Sequence, residues 1–255
     1  MMSFLDSRRI PAPEDELERE ESGLSADPVA DVYRVHLDDQ CVDHAIRLGM
    51  HQGIVLDLGT GTGRVAIELA RRCPEVTILG IDRSPDKIGN AIGVVEEQGL
   101  QGRLHFQVAD PRRIRFKTEY FDGVLCNGLL HQINDPVSLL NGIARIVKRD
   151  GAVLVRDLRR PSLMSSWWHR HWFGRKYPGA IRQHYLRDLQ SSYSYSEWRK
   201  HLQGSALHDS AQIFVQGLSH IGIERSAKNS LFAAQAALKA RREFLVETEG
   251  WRKDA

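Results

Sequence analysis

The sequence predicts an α/β fold built on a doubly wound, mostly parallel sheet. Five short apolar runs alternate with segments of helical periodicity between residues 53 and 155. A turn with three glycines in five residues, Gly59 to Gly63, joins the first run to a helical segment. Consecutive parallel strands need long crossover connections, which helices usually supply, so this alternation is typical of repeated strand–helix–strand units. We therefore expect one sheet with helices on both faces.

Periodicity, caps and turn residues locate the individual elements. Apolar positions at helical spacing predict a first helix over residues 29–49, ending at Gly49. Ser84 followed by Pro85 predicts the start of another helix, since serine caps well and proline suits the first turn. The predicted strands cover residues 53–58, 76–81, 103–108, 121–126 and 152–155. The predicted connecting helices cover residues 64–73, 84–99 and 136–147, with a polar turn at 148–151.

The alternation of strand and helix patterns ends after Asp157. Residues 159–193 are rich in Trp, Arg, His and Tyr without a strand pattern, so we expect a helical lid or substrate insertion. A short capped helix is predicted over 194–202. Two final strands are predicted at 212–215 and 220–224.

These elements predict three regions. Residues 28–226 form the main domain, which includes the insertion. An acidic, weakly ordered arm over residues 1–27 precedes it, and a C-terminal helical region over 227–255 follows it. That last helix has a surface on which a second copy could pack, which leaves a homodimer open.

Composition excludes several classes of protein. The 255 residues are 42% hydrophobic and carry a net charge of only +2, which does not indicate nucleic acid as a general partner. No apolar run approaches the roughly 20 residues of a membrane-spanning helix, and the polar N-terminus is unlike a secretory signal. The three cysteines are far apart, which predicts reduced packing cysteines, no metal site and a cytoplasmic location.

The glycine turn indicates a ligand that approaches the backbone closely. Its pattern, Gly59-x-Gly61-x-Gly63, places Arg64 where a dinucleotide fingerprint needs a third small residue. The preceding acid, Asp57, would repel a pyrophosphate but attract an ammonium group. The spacing therefore disfavours a nicotinamide oxidoreductase, which remains the weakest alternative.

Polar residues stand at four consecutive strand ends. After Asp57 on the first strand, the second ends in Asp82, which is suited to two ribose hydroxyls. Asp110 follows the third strand, where a carboxylate can accept from an adenine amino group. Asn127 and Gly128 follow the fourth. Each acid alone could be a helix cap or a solvated loop residue, but together they suit a nucleoside with an amino-acid tail.

These segments resemble the class I S-adenosylmethionine-dependent methyltransferases. The matching stretches are VLDLGTGTGRVAIELA (55–70), ILGIDRSPDKI (78–88), FQVADPRRIRF (106–116) and the segment 121–161. The resemblance covers about residues 30–160 and continues weakly to about 225. It implies a Rossmann-like sheet of seven strands, the last antiparallel, with S-adenosylmethionine as cofactor and S-adenosylhomocysteine as product.

The resemblance also implies roles for individual residues. The methionine part of the cofactor would be held by five residues of the first strand end: Asp57, Gly59, Thr60, Gly61 and Gly63. Asp82 would hold the ribose, while Ser84 and Asp110 would lie along the adenosine. Asn127 and Gly128 would pass beneath the sulfonium. The sequence lacks an Asn-Pro-Pro-Tyr signature after the fourth strand, which disfavours methylation of amino groups on nucleic-acid bases.

The expected reaction is in-line methyl transfer to a small-molecule acceptor. His131 is the candidate proton acceptor, because its ordinary pKa lies near neutrality, and Asp157 is a second candidate catalytic residue. Their plainer interpretations are a histidine bonded to backbone and, for Asp157, an ion pair with the arginines that follow it. The candidate substrate-binding residues are Tyr33, His36, Arg159, Trp168, Trp172 and Tyr185. For Tyr33 and His36 the plainer interpretation is packing of the first helix.

Alternatives remain open for the substrate. The basic, aromatic stretch 165–187 could stack bases while its arginines and lysine take phosphates, which would indicate an RNA substrate, or it could bind a protein. A membrane-surface helix is a less favoured reading of the same stretch. A third class is a non-catalytic regulatory module that binds S-adenosylmethionine without transferring its methyl group.

Overall fold

The computed structural model describes residues 9–11, 28–160 and 179–228. Most of the predicted arm, the residues 161–178 with Trp168 and Trp172, and the C-terminal helix after residue 228 lie outside this part. The same holds for the side chains of Tyr33 and His36, whose backbone is helical.

Seven strands and six helices make up the described part of the chain. The strands are β1 Gln52–Leu58, β2 Glu75–Asp82, β3 Leu104–Val108, β4 Phe121–Asn127, β5 Val147–Leu158, β6 Gln212–Gln216 and β7 His220–Arg225. The helices are α1 Pro28–Leu48, α2 Arg64–Arg72, α3 Pro85–Glu97, α4 Pro136–Ile146, α5 Gly179–Ser191 and α6 Tyr195–Gln203, with a short 3-10 turn at Leu130–Gln132.

The sheet confirms the predicted class. Its strand order is β3-β2-β1-β4-β5-β7-β6. Strands β1 to β5 pair in parallel, whereas β7 is antiparallel to both β5 and β6. The order reverses at β1, which lies between β2 and β4. In open α/β sheets, ligands bind outside the carboxyl ends of the strands at such a reversal.

Both faces of the sheet are covered by helices. On β5, Val153 and Val155 belong to one core cluster with Leu140 of α4 and Trp198 of α6. The alternate residue Leu154 belongs to a second cluster, which includes α1 and α2. Since successive strand side chains point to opposite faces, this division shows a doubly wound sheet. Cys41, Cys73 and Cys126 are buried free thiols, as the packing prediction required.

Local sequence explains where the helices begin. The Ser84 side chain accepts a hydrogen bond from the Lys87 N–H at 3.4 Å, which confirms the predicted cap of α3. At α6, Ser194 and Glu197 form a reciprocal capping box. Asp135 caps α4 by accepting from the Ser138 N–H at 3.1 Å.

The structure differs from the predicted elements in two places. The predicted polar turn at 148–151 is wrong, because β5 already begins at Val147. The pairing shifts between Phe121–Val147 and Gly123–Ala152, so the polar residues form a bulged, exposed start of the strand. Helix α5 lies within the predicted lid, but residues 161–178 fall outside the described part, so the lid itself stays a prediction. No helix in the described ranges is long and apolar enough to cross a membrane.

Candidate functional site

The glycine turn after β1 lies at the reversal point of the sheet. Gly59, Gly61 and Gly63 have positive φ angles of 72°, 57° and 76°, which explains why glycine is needed at each. The N–H groups of Gly59 and Thr60 donate to the Ile81 carbonyl at 2.9 and 3.0 Å, which ties the turn to the end of β2.

The turn has a packed side and an open side. A Cβ on Gly63 would lie 2.5 Å from the Phe106 ring, so this glycine serves close packing. A Cβ on Gly61 would meet nothing within 4 Å. Gly61 therefore leaves its side of the turn free for a ligand.

Asp57 places a buried carboxyl group beneath the turn. It is only 2% exposed and accepts a hydrogen bond from the Thr60 hydroxyl at 2.6 Å. Burial is the main cause that raises the pKa of Asp57 to about 7; the charges of Asp82 and Asp38 act in the same direction, and the Thr60 hydrogen bond opposes them. A cationic group beside this carboxyl would favour its ionised form, so the predicted ammonium contact suits this position.

Asp82 connects the turn to the next helix. Its Oδ2 accepts from the Gly61 N–H and its Oδ1 from the Ser84 N–H, each at 3.0 Å. Both oxygens thus accept from backbone N–H groups, and each can still accept a further hydrogen bond. The predicted residues Asp57, Thr60, Gly61, Asp82 and Ser84 are therefore adjacent at one edge of the sheet.

Asp110 is held by its neighbour Arg112. Arg112 Nε and Nη2 lie 3.0 and 3.1 Å from the two carboxylate oxygens, and the Arg112 N–H donates at 3.0 Å. Partial burial alone would raise the pKa of Asp110, but the hydrogen bonds and charge of Arg112 outweigh it and hold the pKa low. Asp110 is therefore an ionised acceptor, and its predicted adenine contact would be shared with Arg112.

Asn127 and Gly128 end β4 beside the glycine turn. Gly128 has a φ of 71°, and a Cβ there would meet nothing within 4 Å. Its N–H donates to the Arg156 carbonyl at 2.9 Å, which joins it to β5. A second open position therefore lies at the end of β4, the strand that pairs with β1.

His131 and Asp157 form a buried pair at the ends of β4 and β5. His131 Nδ1 lies 3.0 Å from Asp157 Oδ1, and the His131 N–H donates to Asp157 Oδ2 at 2.8 Å. The other ring nitrogen lies 3.7 Å from Asp188 Oδ1 on α5. The structure thus brings together the two predicted catalytic residues.

The environment of His131 changes its expected role. Burial alone would lower its pKa, but the charge and hydrogen bond of Asp157, with the charge of Asp188, raise the pKa to about 9. Burial opposes ionisation of Asp157 as well, yet His131 holds the pKa of Asp157 below its ordinary value. At neutral pH His131 is therefore a cation, and the predicted role of proton acceptor does not suit it.

The remaining substrate candidates are distributed differently. Arg159 does not pair with Asp157, because its N–H and Nη2 donate to the Ser219 and Leu218 carbonyls at 2.8 and 3.2 Å. Tyr185 is half-buried on α5. The predicted ion pair of Asp157 with an arginine is thus replaced by the pair with His131.

Two arginines escaped prediction. Arg9 donates to the carbonyls of Ser191 and His131 at 2.7 and 2.9 Å, and nothing in its local sequence signals this. Arg156 is 2% exposed and donates to Asn127 Oδ1 at 2.9 Å. An arginine within the apolar run AVLVRDL was the available signal for Arg156.

The residues present fit a nucleoside with an amino-acid tail. Gly61 and Gly128 leave space, Asp57 offers a buried carboxyl group to a cation, and Asp82 and Asp110 offer acceptors along the neighbouring strand ends. Among the described residues, no group of three or more His, Cys, Asp or Glu side chains is placed to hold a metal ion. The side chains and backbone groups of this edge are thus placed to bind and orient such a ligand.

Comparison with known proteins identifies related chains. A family model described as a methyltransferase domain matches residues 51–199. The "Ubiquinone/menaquinone biosynthesis C-methyltransferase UbiE" of Citrifermentans bemidjiense is 33% identical over 119 residues, which are 46% of this chain and 51% of that protein. The "Uncharacterized methyltransferase Rv0089" of Mycobacterium tuberculosis is 31% identical over 136 residues, 51% of this chain and 62% of that protein. The chain thus spans about half the length of the curated relatives it matches.

A solved structure shares the fold. The crystal structure of a SAM dependent methyltransferase from Aquifex aeolicus superimposes with a TM-score of 0.57 and 16% identity. The alignment covers 78% of this chain and 96% of that one. At this level of sequence identity, the similarity shows only that the two chains share a fold.

Proposed function

The chain belongs to the methyltransferase-domain family, and on that premise we propose that it transfers a methyl group from S-adenosylmethionine to a small-molecule acceptor. The observation that carries the proposal is the buried carboxyl group of Asp57 beneath the open backbone at Gly61. A desolvated carboxyl group whose pKa is raised to about 7 suits a cationic partner. The α-ammonium group of this cofactor is such a partner.

Each strand end contributes one part of cofactor binding. Asp57, Thr60 and Gly61 face the amino-acid tail. Asp82 retains acceptor capacity for the ribose hydroxyls while its hydrogen bonds to Gly61 and Ser84 hold the turn in shape. Asp110, kept ionised by Arg112, accepts from the adenine amino group. The open position at Gly128 leaves room beside the reacting centre.

Catalysis then depends on alignment more than on proton transfer. When bound, S-adenosylmethionine supplies a methyl group activated by its sulfonium, which an acceptor takes by in-line displacement. The rigid ends of β1 and β4 orient the two partners, and orientation alone can lower a barrier by about 7–11 kcal/mol in favourable cases. His131, a cation held by Asp157, fixes the turn after β4.

Family relatives support a small-molecule acceptor. One relative is named as a C-methyltransferase of ubiquinone and menaquinone biosynthesis. We therefore place a demethylated quinol, an aromatic ring with electron-donating hydroxyl groups, first among acceptors to test. The alternative RNA or protein acceptor rests on residues 165–187, most of which lie outside the described part of the chain.

Two assays in sequence test the proposal. Calorimetric titration of the full chain with S-adenosylmethionine and S-adenosylhomocysteine should show micromolar binding, with NAD as the negative control. Incubation with methyl-tritiated S-adenosylmethionine should then label a demethylmenaquinol analogue, with total RNA and a protein extract as comparison acceptors. A folded protein that binds neither cofactor form contradicts the proposal. If the protein binds the cofactor but the label appears only in RNA or protein, the methyltransferase activity is supported and the proposal of a small-molecule acceptor is overturned.

A further inference from the structure

Arg156 is a buried cation at the carboxyl end of β5. Its side chain is 2% exposed and points to the face opposite Asp157, because neighbouring residues of a strand alternate. Nη1 donates to Asn127 Oδ1 at 2.9 Å and Nε donates to Gln216 Oε1 at 2.8 Å. Both partners are neutral amides, so these hydrogen bonds leave the charge of Arg156 uncompensated.

The nearby acids are engaged elsewhere. Asp157 is bound to His131 on the other face of the sheet, with 3.0 Å between Nδ1 and Oδ1. Asp38 of α1 forms an ion pair with Arg64, with 3.0 Å between Nε and Oδ2. Their charges reach the guanidinium only as longer-range attraction, and burial lowers the pKa of Arg156. Among the described residues, therefore, none forms an ion pair with Arg156.

One nitrogen of the guanidinium lacks an oxygen or nitrogen acceptor. Nη2 is enclosed, and within the described part of the chain the guanidinium has beside it, apart from the two amides, only the thiol of Cys41, which is a weak acceptor. A buried polar group without a partner costs roughly 1–3 kcal/mol, and more when the group is charged. A packing role would be served better by an apolar side chain, so an arginine here indicates a partner from outside the protein chain.

Arg156 lies next to the candidate site, so a partner of its guanidinium would be bound there. The Arg156 carbonyl accepts from the Gly128 N–H, and its side chain is bonded to Asn127. The space beside Gly128 is open, and Cys41 of α1 lies against the guanidinium. The guanidinium thus contacts both Cys41 of α1 and Asn127 at the end of β4, the strand end at which the cofactor is expected.

We propose that Arg156 forms a subsite for the carboxylate or phosphate of a ligand bound at the ends of β4 and β5. Two ligands could supply this anion, the amino-acid tail of the cofactor or an acidic methyl acceptor. The inference rests on the proposed function for the identity of the first ligand. Because Nη2 is enclosed, binding of the anion requires α1 or its side chains to move outward.

The first arm of the test examines the cofactor as the source. S-adenosylhomocysteine and its decarboxylated analogue are titrated by calorimetry into the wild type and into Arg156→Gln. If the tail supplies the anion, the substitution lowers the affinity for S-adenosylhomocysteine by about 10- to 100-fold and leaves the affinity for the analogue unchanged. Equal weakening of both ligands indicates a structural role and overturns the subsite.

The second arm examines an acidic acceptor. Benzoate and inorganic phosphate are titrated into both proteins, with and without saturating S-adenosylhomocysteine. If the acceptor supplies the anion, at least one probe binds the wild type, and its affinity for Arg156→Gln is lower by about tenfold or more. The subsite is overturned if Arg156→Gln changes neither the affinity of S-adenosylhomocysteine nor that of either probe.

Control variants separate these outcomes from misfolding. Arg103→Gln removes an arginine that donates to the Ala70, Cys73 and Val76 carbonyls, away from the site, and should leave all affinities unchanged. If Arg156→Gln does not fold, Arg156→Lys replaces it, since lysine keeps the charge but loses the planar fork, and a several-fold effect is expected. Failure of the wild type to bind S-adenosylhomocysteine contradicts the proposed function. If the wild type binds S-adenosylhomocysteine and Arg156→Gln binds it and both probes with the same affinities, the subsite is contradicted and the proposed function stands.

Discussion

His131 and Asp157 form a buried ion pair that joins the ends of β4 and β5. Asp157 Oδ1 lies 3.0 Å from the His131 ring nitrogen Nδ1, while Asp157 Oδ2 accepts from the His131 backbone N–H at 2.8 Å. One carboxylate thus holds both the ring and the backbone of the 3-10 turn. The turn after β4 has its shape fixed by a residue 26 positions further along the chain.

The pair predicts a loss of stability in alkaline solution. The pKa of His131 is raised from an ordinary 6.5 to about 9, so its protonation stabilises the fold fully below about pH 6.5. This contribution is lost as pH rises through about 9 and amounts to at most about 3 kcal/mol. Urea unfolding of the wild type and of His131→Gln at pH 6.5, 8 and 9.5 should show a difference that shrinks with pH.

A surface histidine provides the control for this measurement. His105→Gln removes an exposed imidazole on β3 and should leave the pH dependence of the wild type intact. A difference between wild type and His131→Gln that stays constant from pH 6.5 to 9.5 would show that His131 is not a buried cation.

A methyl group on Gly61 should block the ligand without unfolding the protein. The φ of 57° costs an alanine about 1–2 kcal/mol, but its Cβ would meet nothing within 4 Å. We expect the affinity for S-adenosylhomocysteine to fall at least about tenfold in Gly61→Ala, because the methyl group occupies ligand space. Calorimetry together with thermal unfolding measures both effects.

Gly217 offers a matched comparison. Its φ is 58°, a Cβ there also meets nothing within 4 Å, and it follows β6, at the end of the sheet four strands from β1. Gly217→Ala should lose the same stability as Gly61→Ala and retain full affinity. Equal affinities of the two variants would place the ligand away from the glycine turn.

Asp82 should be needed for ligand affinity beyond its effect on stability. Asp82→Ala removes the acceptor for the Gly61 and Ser84 N–H groups together with the expected ribose contact. We expect a loss of about 100-fold or more in affinity for S-adenosylhomocysteine by calorimetry. The control is Asp122→Ala at the amino edge of the sheet, where the carboxylate accepts from Ile54 and Lys148 at 2.9 and 2.7 Å. If both variants bind alike, the carboxylate of Asp82 has no direct role.

Ligand binding should release a proton from Asp57. The pKa of this carboxyl group is about 7 without a cationic partner, and an ammonium group would lower it. Affinity for S-adenosylhomocysteine should therefore fall about tenfold between pH 8 and pH 6. Titrations in PIPES and imidazole at pH 6.5 should give different apparent enthalpies, since these two buffers absorb the proton with different heats.

Asp57→Asn tests the source of this proton. The amide cannot ionise, so the variant should bind more weakly and with little dependence on pH or buffer. A wild-type affinity that is flat from pH 6 to pH 8 would contradict the ammonium contact at Asp57.

The sequence determined the sheet and the order of its polar strand ends. Apolar runs such as 53–58 are long enough to be buried strands, and the caps at Ser84 and Ser194 are local signals that need no tertiary contact. Because parallel strands present their carboxyl ends at one edge, the sequence also predicted that Asp57 and Asp82 would be neighbours. Local rules failed at residues 148–151, where pairing with β4 converts a polar turn into a bulged strand.

Only the tertiary structure decided the charge of the buried groups. The protonation of His131 depends on Asp157, 26 positions away in the chain, and the contacts of Arg9 lie 122 and 182 positions away. The burial of Arg156 likewise depends on β5 lying beneath α1. A side chain's pKa is set by its desolvation and by charges that meet it through space, and neither quantity is a local property of the sequence. The fold and its cofactor edge could therefore be predicted from residue patterns, whereas the state of the groups at that edge required their positions in three dimensions.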